Sequence, residues 1–374
     1  MVENQNHDGK ADNGGIQSHK ILLKVYRINV RSSYDYLYVL AIIFLLLFGI
    51  VTLVSIAPFL FPFYFFYVIA GIVVFLIFSR IDFEVISLFS KYFYIGSIIF
   101  LILPLLIGQV TRGTIRWIPL GPVTIQPSEL VRPFILVFFA NFLADREISP
   151  IKAIISVILF IPVFLLIVVQ PSLGIAVITG FGLMGILLSC GLDKKFFLTG
   201  LGLFVVLIPL AFNLTAPYQK LRVLTFLDPF KDPFGAGYNS LQAKISVGSG
   251  ELFGRGLGKG VQTQLAFLPE RHTDFIFASI AEELGFVGAG LLIGGSFFIF
   301  WKLTSFMENP ESKSARNFLA GLFATLFLQT VIHVGMNIGL LPITGVPYPL
   351  VSAGGSSLVA TMIGLGIALK ARKT

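Results

Sequence analysis

The stretch YLYVLAIIFLLLFGIVTLVSIA, residues 36–57, contains no charged side chain. A helix that crosses a bilayer needs about 20 mostly apolar residues, so this stretch is long enough to span a membrane. With this stretch, ten apolar runs occur, at 36–57, 61–78, 85–107, 125–143, 151–169, 173–190, 196–212, 275–300, 318–341 and 350–369. The sequence therefore predicts an all-α polytopic membrane protein with about ten transmembrane helices. Its one long loop, 213–274, would join the seventh and eighth helices.

The overall composition supports this class. Hydrophobic residues make up 56% of the chain and charged residues only 12%, whereas soluble domains carry about 25% charged residues. A single cysteine, Cys190, excludes an internal disulfide and a cysteine-based metal cluster. The net charge of +8 fits cytoplasmic loops and contact with anionic membrane lipids, and we expect no nucleic-acid partner.

Basic residues predict the orientation of the chain. Residues 1–33 are polar and are interpreted as a disordered cytoplasmic tail, followed by a membrane domain at 34–370. With the N-terminus inside, the short outer turns at 58–62, 170–172 and 342–349 contain no Lys or Arg. This is the positive-inside pattern, and it places both termini in the cytoplasm.

Other basic residues fall on the outer side and are not explained by orientation. They are Arg112, Arg116, Arg132, Lys220, Arg222, Lys231, Lys244, Arg255, Lys259 and Arg271. Ionisable groups at membrane depth are costly and usually functional. The outer loops are therefore candidates for binding an anionic ligand.

The first polar segment covers 112–121 and 126–133. Ser128 is predicted to cap the helix that follows, which would put Glu129 at the positive end of that helix. Glu129 and Arg132 are three residues apart and can pair on one helix face. Two alternatives stay open: a structural ion pair, or the polar wall of an outward-facing cavity. Trp117 could be an anchor at the membrane interface.

The second polar segment is 269–277, where Asp274 ends the long loop and precedes a membrane helix. A partly desolvated carboxylate at that position would be a stronger base than one in water. Arg271 and His272 beside it could hold an anionic ligand. The alternative is that Asp274 only caps the helix.

Two further groups of polar residues follow. Glu282 and Glu283 lie in the predicted span 275–300, which begins directly after Asp274. Glu282 would be about 12 Å from Asp274 along the helix axis. They would face a cavity or pair with a cation on another helix. His333 and Asn337 share one face of the next helix. A Gly/Ser run at 352–357 allows close backbone approach, as ligand contact or as packing between helices.

Taken together these motifs resemble the SEDS family of bacterial cell-wall proteins, whose best-known members are RodA and FtsW. The resemblance covers about 36–370 and is somewhat closer to RodA. Its segments are Arg116-Trp117-Ile118, Gln126-Pro127-Ser128-Glu129, Tyr218-Gln219 with Arg222 and Leu227-Asp228-Pro229, Gly235-Ala236-Gly237-Tyr238, Gly248-Ser249-Gly250, His272-Thr273-Asp274-Phe275, Glu282-Glu283, Asn337 with Pro342-Ile343-Thr344-Gly345, and Gly354-Gly355-Ser356-Ser357. One departure is Ser172, because the family usually has an aspartate there.

The resemblance implies a peptidoglycan glycosyltransferase that polymerises lipid II on the outer face of the bacterial plasma membrane. Asp274 matches the proposed catalytic base of the family. The predicted substrate-binding residues are Arg116, Trp117, Gln126, Ser128, Glu129, Arg132, Lys220, Arg222, Gln242, Arg271, His272, Thr273, Glu282, Asn337 and Ser356.

The expected partners are lipid II, a polyprenyl-linked glycan chain, membrane lipids and a class B penicillin-binding protein. No cofactor or resident metal site is predicted, while a divalent cation that assists the reaction stays open. A lipid II flippase, a catalytically silent scaffold and a division-specific FtsW-type polymerase are the alternatives to a polymerase of rod-shape elongation.

Overall fold

The computed structural model describes residues 35–61, 63–107, 109–111, 114–121, 123–144, 149–191, 195, 217–235 and 237–373. Asp35–Thr374 forms one compact unit. The predicted tail at 1–33, the predicted span at 196–212 and Arg112 lie outside the described residues.

The described part of the chain is mainly helical, as predicted. The helices are α1 (Tyr36–Ile56), α2 (Phe63–Phe78), α3 (Phe83–Leu88), α4 (Ser90–Ile107), α5 (Pro127–Leu130), α6 (Arg132–Phe142), α7 (Pro150–Val169), α8 (Leu173–Ser189), α9 (Pro217–Leu227), α10 (Tyr238–Ser249), α11 (Val261–Gln264), α12 (Ile276–Glu308), α13 (Lys313–Asn337) and α14 (Gly355–Ala371). Two single 3₁₀ turns cover Pro58–Leu60 and Pro229–Lys231. Among these, α1, α4, α7, α12 and α13 are long and apolar enough to cross a membrane alone.

The side chains on the outside of the bundle are those expected next to lipid. Large apolar residues are exposed along α1, α2, α4 and α7, including Leu40, Phe66, Ile99 and Ile158. A water-soluble protein rarely leaves such continuous apolar surface uncovered. The chain is therefore an all-α polytopic membrane protein.

Two predicted spans are interrupted. The span at 85–107 consists of α3 and α4, with Phe89 between them. The span at 125–143 begins with the four-residue α5 and continues as α6. The prediction that Ser128 caps this helix is wrong, because Gln126 is the capping residue and Pro127 occupies the first helical position. Proline suits that position since it has no N–H to leave unpaired.

A small antiparallel sheet between α4 and α5 was not predicted. Its strands are β1 (Gln109–Thr111), β2 (Thr114–Leu120) and β3 (Val123–Ile125), in the order β1-β2-β3. Trp117 pairs with Gln109 across one ladder, and Ile118 pairs with Ile125 across the other. Strand β2 carries Arg116 and Trp117, and Thr124 O of β3 accepts hydrogen bonds from Tyr67 Oη and Ser356 Oγ over 2.8 and 3.5 Å. We call the end of the bundle that holds the segment 217–274 the loop end.

The helix α12 is broken near the loop end. Gly285 has φ 67° and ψ −162°, so the chain leaves the helical path there. The backbone groups freed by the break pair with the segment 251–256. Arg255 N and Gly256 N donate to the carbonyls of Glu282 and Glu283, each over 2.9 Å. Phe286 N donates to Glu251 O over 2.8 Å.

This break places the two glutamates at the margin of the span. About 20 residues cross the hydrocarbon layer, and the part of α12 that follows Gly285 up to Glu308 alone reaches that length. Glu282 and Glu283 therefore need not lie within the hydrocarbon layer.

The long loop is folded onto the bundle. Ala243 of α10, Leu268, Phe275 and Ala278 form a buried apolar cluster, and Ile343 packs against it. This cluster fastens the loop beside the start of α12, where Asp274 lies.

An ion-pair cluster lies at the opposite end of the bundle. There Asp35 pairs with Lys302 over 2.9 Å and with Arg372 over 3.3 Å.

Candidate active site

Asp274 lies in a tight turn immediately before α12. The carbonyl of Glu270 accepts hydrogen bonds from Thr273 N, Asp274 N and Phe275 N, at 3.0, 3.1 and 3.3 Å. Phe275 is the N-cap residue of α12, and its own side chain makes no capping hydrogen bond. Asp274 is therefore not the N-cap residue of this helix. Its side chain is half-buried and keeps contact with solvent.

Asn337, the last residue of α13, holds this turn from the side. Its Oδ1 accepts a hydrogen bond of 3.0 Å from Ala278 N, in the first turn of α12. Its Nδ2 donates to Asp274 O over 3.0 Å and to His333 O over 2.7 Å. The Asn337 side chain is fully buried. A residue from another helix thus caps α12 and fixes the main chain at Asp274.

The turn at Gly345 brings a carboxylate and a guanidinium together. A Cβ placed on Gly345 would lie 3.4 Å from Asp274 Oδ2 and 4.0 Å from Arg222 Nη1. Arg222 Nη1 also donates to Ile343 O over 3.1 Å. Gly345 has φ +70°, a conformation that glycine adopts without strain. Asp274 and Arg222, far apart in sequence, therefore face the same backbone position.

The residues before Asp274 are pinned to the segment 348–353. Thr273 O accepts a hydrogen bond of 2.7 Å from Ser352 Oγ, and His272 O accepts one of 2.9 Å from Ala353 N. Thr273 Oγ1 donates to Glu270 Oε2 over 2.9 Å, and His272 Nε2 lies 3.7 Å from the same carboxylate. His272 and Thr273 thus share the site with Asp274.

Three other predicted basic or polar residues, Lys220, Arg271 and Gln242, belong to the long loop. Lys220 lies on α9, two residues before Arg222, and is half-buried. Arg271 is turned toward the end of α1, where its Nε donates to Ile56 O over 3.0 Å. Gln242 lies on α10 with its side chain half-buried. Their contact with substrate stays a prediction.

Glu282 and Glu283 anchor the long loop. Glu282 accepts hydrogen bonds from Gln262 N and Thr263 N over 2.7 and 3.0 Å. Glu283 accepts from Ser55 Oγ over 2.6 Å and from Gln264 Nε2 over 2.8 Å. Both carboxylates are buried. These contacts are structural, and the predicted contact of Glu282 with substrate stays a prediction.

A second polar cluster lies beside α5 and α6. Gln126 N donates to Ser356 Oγ over 2.9 Å, and Gln126 Nε2 donates to Ser128 Oγ and Ser172 Oγ over 3.2 and 3.3 Å. Ser172, which stands where the family usually has an aspartate, therefore contributes a hydroxyl to this cluster. The segment 352–356 contacts both this cluster and the residues before Asp274.

The predicted ion pair of the same region is present. Arg132 Nη2 lies 3.1 Å from Glu129 Oε2, and both side chains are nearly inaccessible to solvent. Breaking a buried pair leaves an uncompensated charge, so the pair is costly to disrupt.

Arg116 and Trp117 are neighbours on β2. The guanidinium carbon of Arg116 lies 5.9 Å from the ring centroid of Trp117, which is within the range of a cation–π contact. The side chains of Arg116 and Trp117 are partly exposed.

Several residues at this site were not predicted as site residues. Ser352 and Glu270 hold the turn at Asp274, and Gly345 is the backbone position that both Asp274 and Arg222 face. The sequence predicts a close backbone approach at the Gly/Ser run 352–357. The contact between Ser352 and Thr273 joins residues 79 positions apart, and no local sequence pattern indicates it. Among the described residues no group of three or more His, Cys, Asp and Glu side chains could hold a metal ion.

The arrangement suits the transfer of a group with an anionic leaving group. The carboxylate of Asp274 can accept a proton from a hydroxyl, and the Arg222 guanidinium, which faces the same turn, can stabilise negative charge that develops on departing oxygens.

Comparison with known proteins agrees with this chemistry. A family model described as a cell cycle protein of the FtsW, RodA and SpoVE type matches residues 28–374. The peptidoglycan glycosyltransferase MrdB of Escherichia coli (strain K12) is 38% identical over 304 residues, which cover 80% of this chain and 82% of that protein. The probable peptidoglycan glycosyltransferase FtsW of Pseudoalteromonas translucida is 38% identical over 292 residues, which cover 75% and 72%.

Two solved structures are similar along almost the whole chain. One concerns the structural coordination of polymerization and crosslinking by a peptidoglycan synthase complex, with TM-score 0.78 and 31% identity, covering 90% of this chain and 97% of that chain. The other is the crystal structure of the rod shape determining protein RodA of Thermus thermophilus, with TM-score 0.69 and 28% identity, covering 90% and 96%. The chain therefore belongs to the FtsW/RodA/SpoVE family of cell cycle proteins.

Proposed function

We propose that the protein is a peptidoglycan glycosyltransferase that polymerises lipid II into glycan strands, with Asp274 as the general base. The observation that carries this proposal is the convergence of Asp274 and Arg222 on the turn at Gly345. The names of the relatives, which describe peptidoglycan glycosyltransferases, support the reaction class.

The reaction follows from the chemistry of the two groups. Asp274 removes the proton from the acceptor sugar hydroxyl of lipid II, and the oxygen attacks the anomeric carbon of the growing chain. The bond from that carbon to the diphosphate breaks, and the polyprenyl diphosphate leaves with the electron pair. Arg222 and Lys220 stabilise the charge on the departing oxygens. Attack opposite the leaving group inverts the configuration of the anomeric carbon.

The reaction takes place on the outer face of the bacterial plasma membrane in this proposal. The loop end, with Asp274, faces outward, and both termini lie in the cytoplasm. The absence of Lys and Arg from the turns at 58–62, 170–172 and 342–349 supports this orientation. Cysteine accessibility tests it: a cysteine placed at Phe234 should react with an impermeant maleimide in intact spheroplasts, and one placed at Asn309 should not.

A class B penicillin-binding protein is the proposed partner. A related chain is known from a peptidoglycan synthase complex that coordinates polymerization and crosslinking, which supports a transpeptidase partner. We assign the protein to rod-shape elongation because the similar crystal structure is that of a rod shape determining protein. Complementation of a strain depleted of its elongation polymerase, but not of one depleted of its division polymerase, is the expected result.

The catalytic assignment is tested with purified full-length protein, its cognate penicillin-binding protein and labelled lipid II. Asp274→Asn keeps the size of the side chain and removes the base, so glycan synthesis should fall by about 100-fold or more. The matched control is Glu251→Gln, in the same loop, whose carboxylate is 79% exposed and should be dispensable.

Two outcomes would contradict the proposal. If Asp274→Asn polymerised as fast as the wild type, Asp274 would not be the base. If the wild type made no glycan while an established polymerase did so under the same conditions, the enzyme assignment would fail. A flippase would instead move fluorescent lipid II across vesicles without forming polymer.

A further inference from the structure

Lys244 is a basic residue of the long loop that the proposed mechanism does not yet use. It lies on α10 and is exposed to solvent. Its side chain extends over Gly339, in the turn after α13, where an added Cβ would lie 2.7 Å from Lys244 Nζ and would collide with its Cε. Gly339 has φ +77°, so glycine serves here both for the backbone conformation and for the approach of the lysine.

The surroundings of Lys244 connect it with Arg222. Ala243, the preceding residue, packs in the cluster that contains Phe275, next to Asp274. Ile343 packs against that cluster, and its carbonyl accepts the hydrogen bond from Arg222. Lys244 therefore contacts the turn 338–345 at Gly339, and Arg222 contacts the same turn at Ile343.

The same turn is tied to the proposed base. Gly339, under the lysine, lies two residues after Asn337, which donates to Asp274 O. Gly345, at the other end, faces Asp274 Oδ2. The proposed base thus contacts a turn that has one cation near each end.

Lys244 adds a positive charge to this turn, and within the described residues it makes no hydrogen bond and no ion pair. Two cations at one turn repel each other, and an anion bound to both removes this cost. A lysine near a helix C-terminus gains about 0.3–1 kcal/mol from the helix dipole, so capping of α13 is the structural alternative.

We infer that Lys244 is a further phosphate-binding residue, which holds the diphosphate of the polyprenyl-linked substrate together with Arg222. The inference rests on the proposed function and assigns a residue that the mechanism above leaves out. A diphosphate has two phosphate groups, and a cation near each end of the turn can bind one of them. Arginine supplies a planar fork and lysine a compact point charge, both of which bind phosphate oxygens.

Binding of farnesyl diphosphate, a soluble short-chain prenyl diphosphate, tests the inference independently of polymerisation. Calorimetry on the purified full-length protein should show about 10-fold or greater weakening in Lys244→Met, and Lys244→Arg should recover most of the affinity. The matched control is Lys259→Met, an exposed lysine of the same loop, which should bind as the wild type does. Higher salt should weaken wild-type binding more than that of Lys244→Met.

The outcomes separate the two proposals. If Lys244→Met lowered the melting temperature but bound farnesyl diphosphate like the wild type, Lys244 would be a helix cap and the inference would be wrong. If the wild type bound the diphosphate through Lys244 but made no glycan from lipid II, the site would stand and the polymerase assignment would fail.

Discussion

Asn337 Nδ2 donates a hydrogen bond of 3.0 Å to the main-chain carbonyl of Asp274, although 63 positions separate the two residues. The same side chain caps α12 through Ala278 N. The position of the proposed base is therefore set by a residue of the neighbouring helix and not by its own loop alone.

Asn337→Ala should reduce the activity of the protein that remains folded, in addition to lowering the free energy of unfolding. Loss of these buried hydrogen bonds should cost about 1–3 kcal/mol of unfolding free energy, and the turn at Asp274 loses its lateral support. We expect polymerisation measured on the folded fraction to fall about 10-fold or more, since small displacements at an active site are costly. Asn141→Ala, which removes a hydrogen-bonded asparagine near Ser90, should lower the melting temperature while leaving the activity of the folded protein intact. Equal activity losses in both variants would contradict this role.

Glu282→Gln should loosen the long loop. Each carboxylate oxygen of Glu282 accepts one hydrogen bond, from Gln262 N and from Thr263 N. In the variant one of these oxygens becomes an NH2 group, so one of the two N–H groups loses its acceptor, at a cost of about 1–3 kcal/mol of unfolding free energy. Trypsin should then cut faster after Arg255 and Lys259, which are exposed in this segment. Glu251→Gln, with an exposed side chain, should keep the wild-type cleavage rate. An unchanged cleavage rate combined with a higher KM for lipid II would indicate that Glu282 binds substrate and does not anchor the loop.

Gly285→Ala should destabilise the protein strongly. The residue has φ 67°, and an added Cβ would lie 2.5 Å from Leu252 O and in collision with Gly254 N. Backbone strain of this kind costs about 1–3 kcal/mol, with the steric clash added. Gly290→Ala is the matched control in the same helix, because nothing lies within 4 Å of its added Cβ; it should be neutral or stabilising by up to about 1 kcal/mol. Thermal unfolding in detergent separates them, and equal melting temperatures would refute the packing argument.

Stability should depend on pH through Glu311, in the connection between α12 and α13. Burial raises the pKa of the Glu311 carboxyl from 4.5 to about 7, with repulsion from Glu84 and Asp82 adding to the rise and Lys370 opposing it. The folded protein thus binds this proton more tightly than the unfolded chain. The resulting stabilisation is complete below pH about 4.5 and is lost as the pH rises to about 7.

Glu311→Gln tests this dependence. The melting temperature of the variant relative to the wild type should rise between pH 5 and pH 8, by an amount that solvent screening keeps small because Glu311 is only partly shielded from water. Glu251→Gln, at the other end of the bundle, should show no such trend. A constant difference between Glu311→Gln and the wild type across this range would contradict the prediction.

The membrane helices could be predicted from the sequence because a span has a simple physical requirement. Runs of about 20 apolar residues are visible without knowledge of the fold, and every predicted span except 196–212 coincides with helices in the described residues. The sheet at 109–125 and the break at Gly285 could not be predicted in this way. Each depends on pairing with another segment, as Phe286 N does with Glu251 O.

The candidate site was predictable in its residue types and not in its geometry. The sequence indicated Asp274 and Arg222 as ionisable groups at membrane depth, where charges are costly, and Asn337 as a polar residue on the same helix face as His333. The sequence did not reveal that Arg271 turns toward Ile56 or that Ser352 holds Thr273. These contacts join segments that are remote along the chain, and local periodicity carries no information about them.

The pairing of segment 251–256 with the residues around Gly285 closes a ring in the chain, and Asp274 lies within that ring. Insertions inside a ring stretch or displace everything it contains, whereas insertions outside it add only a modest loop-closure entropy. The part of the long loop at 228–235 precedes the ring, and Phe234 there is 93% exposed. We therefore expect homologues that lengthen this loop to meet different partner proteins to carry the inserted residues before α10, because an insertion there does not displace Asp274.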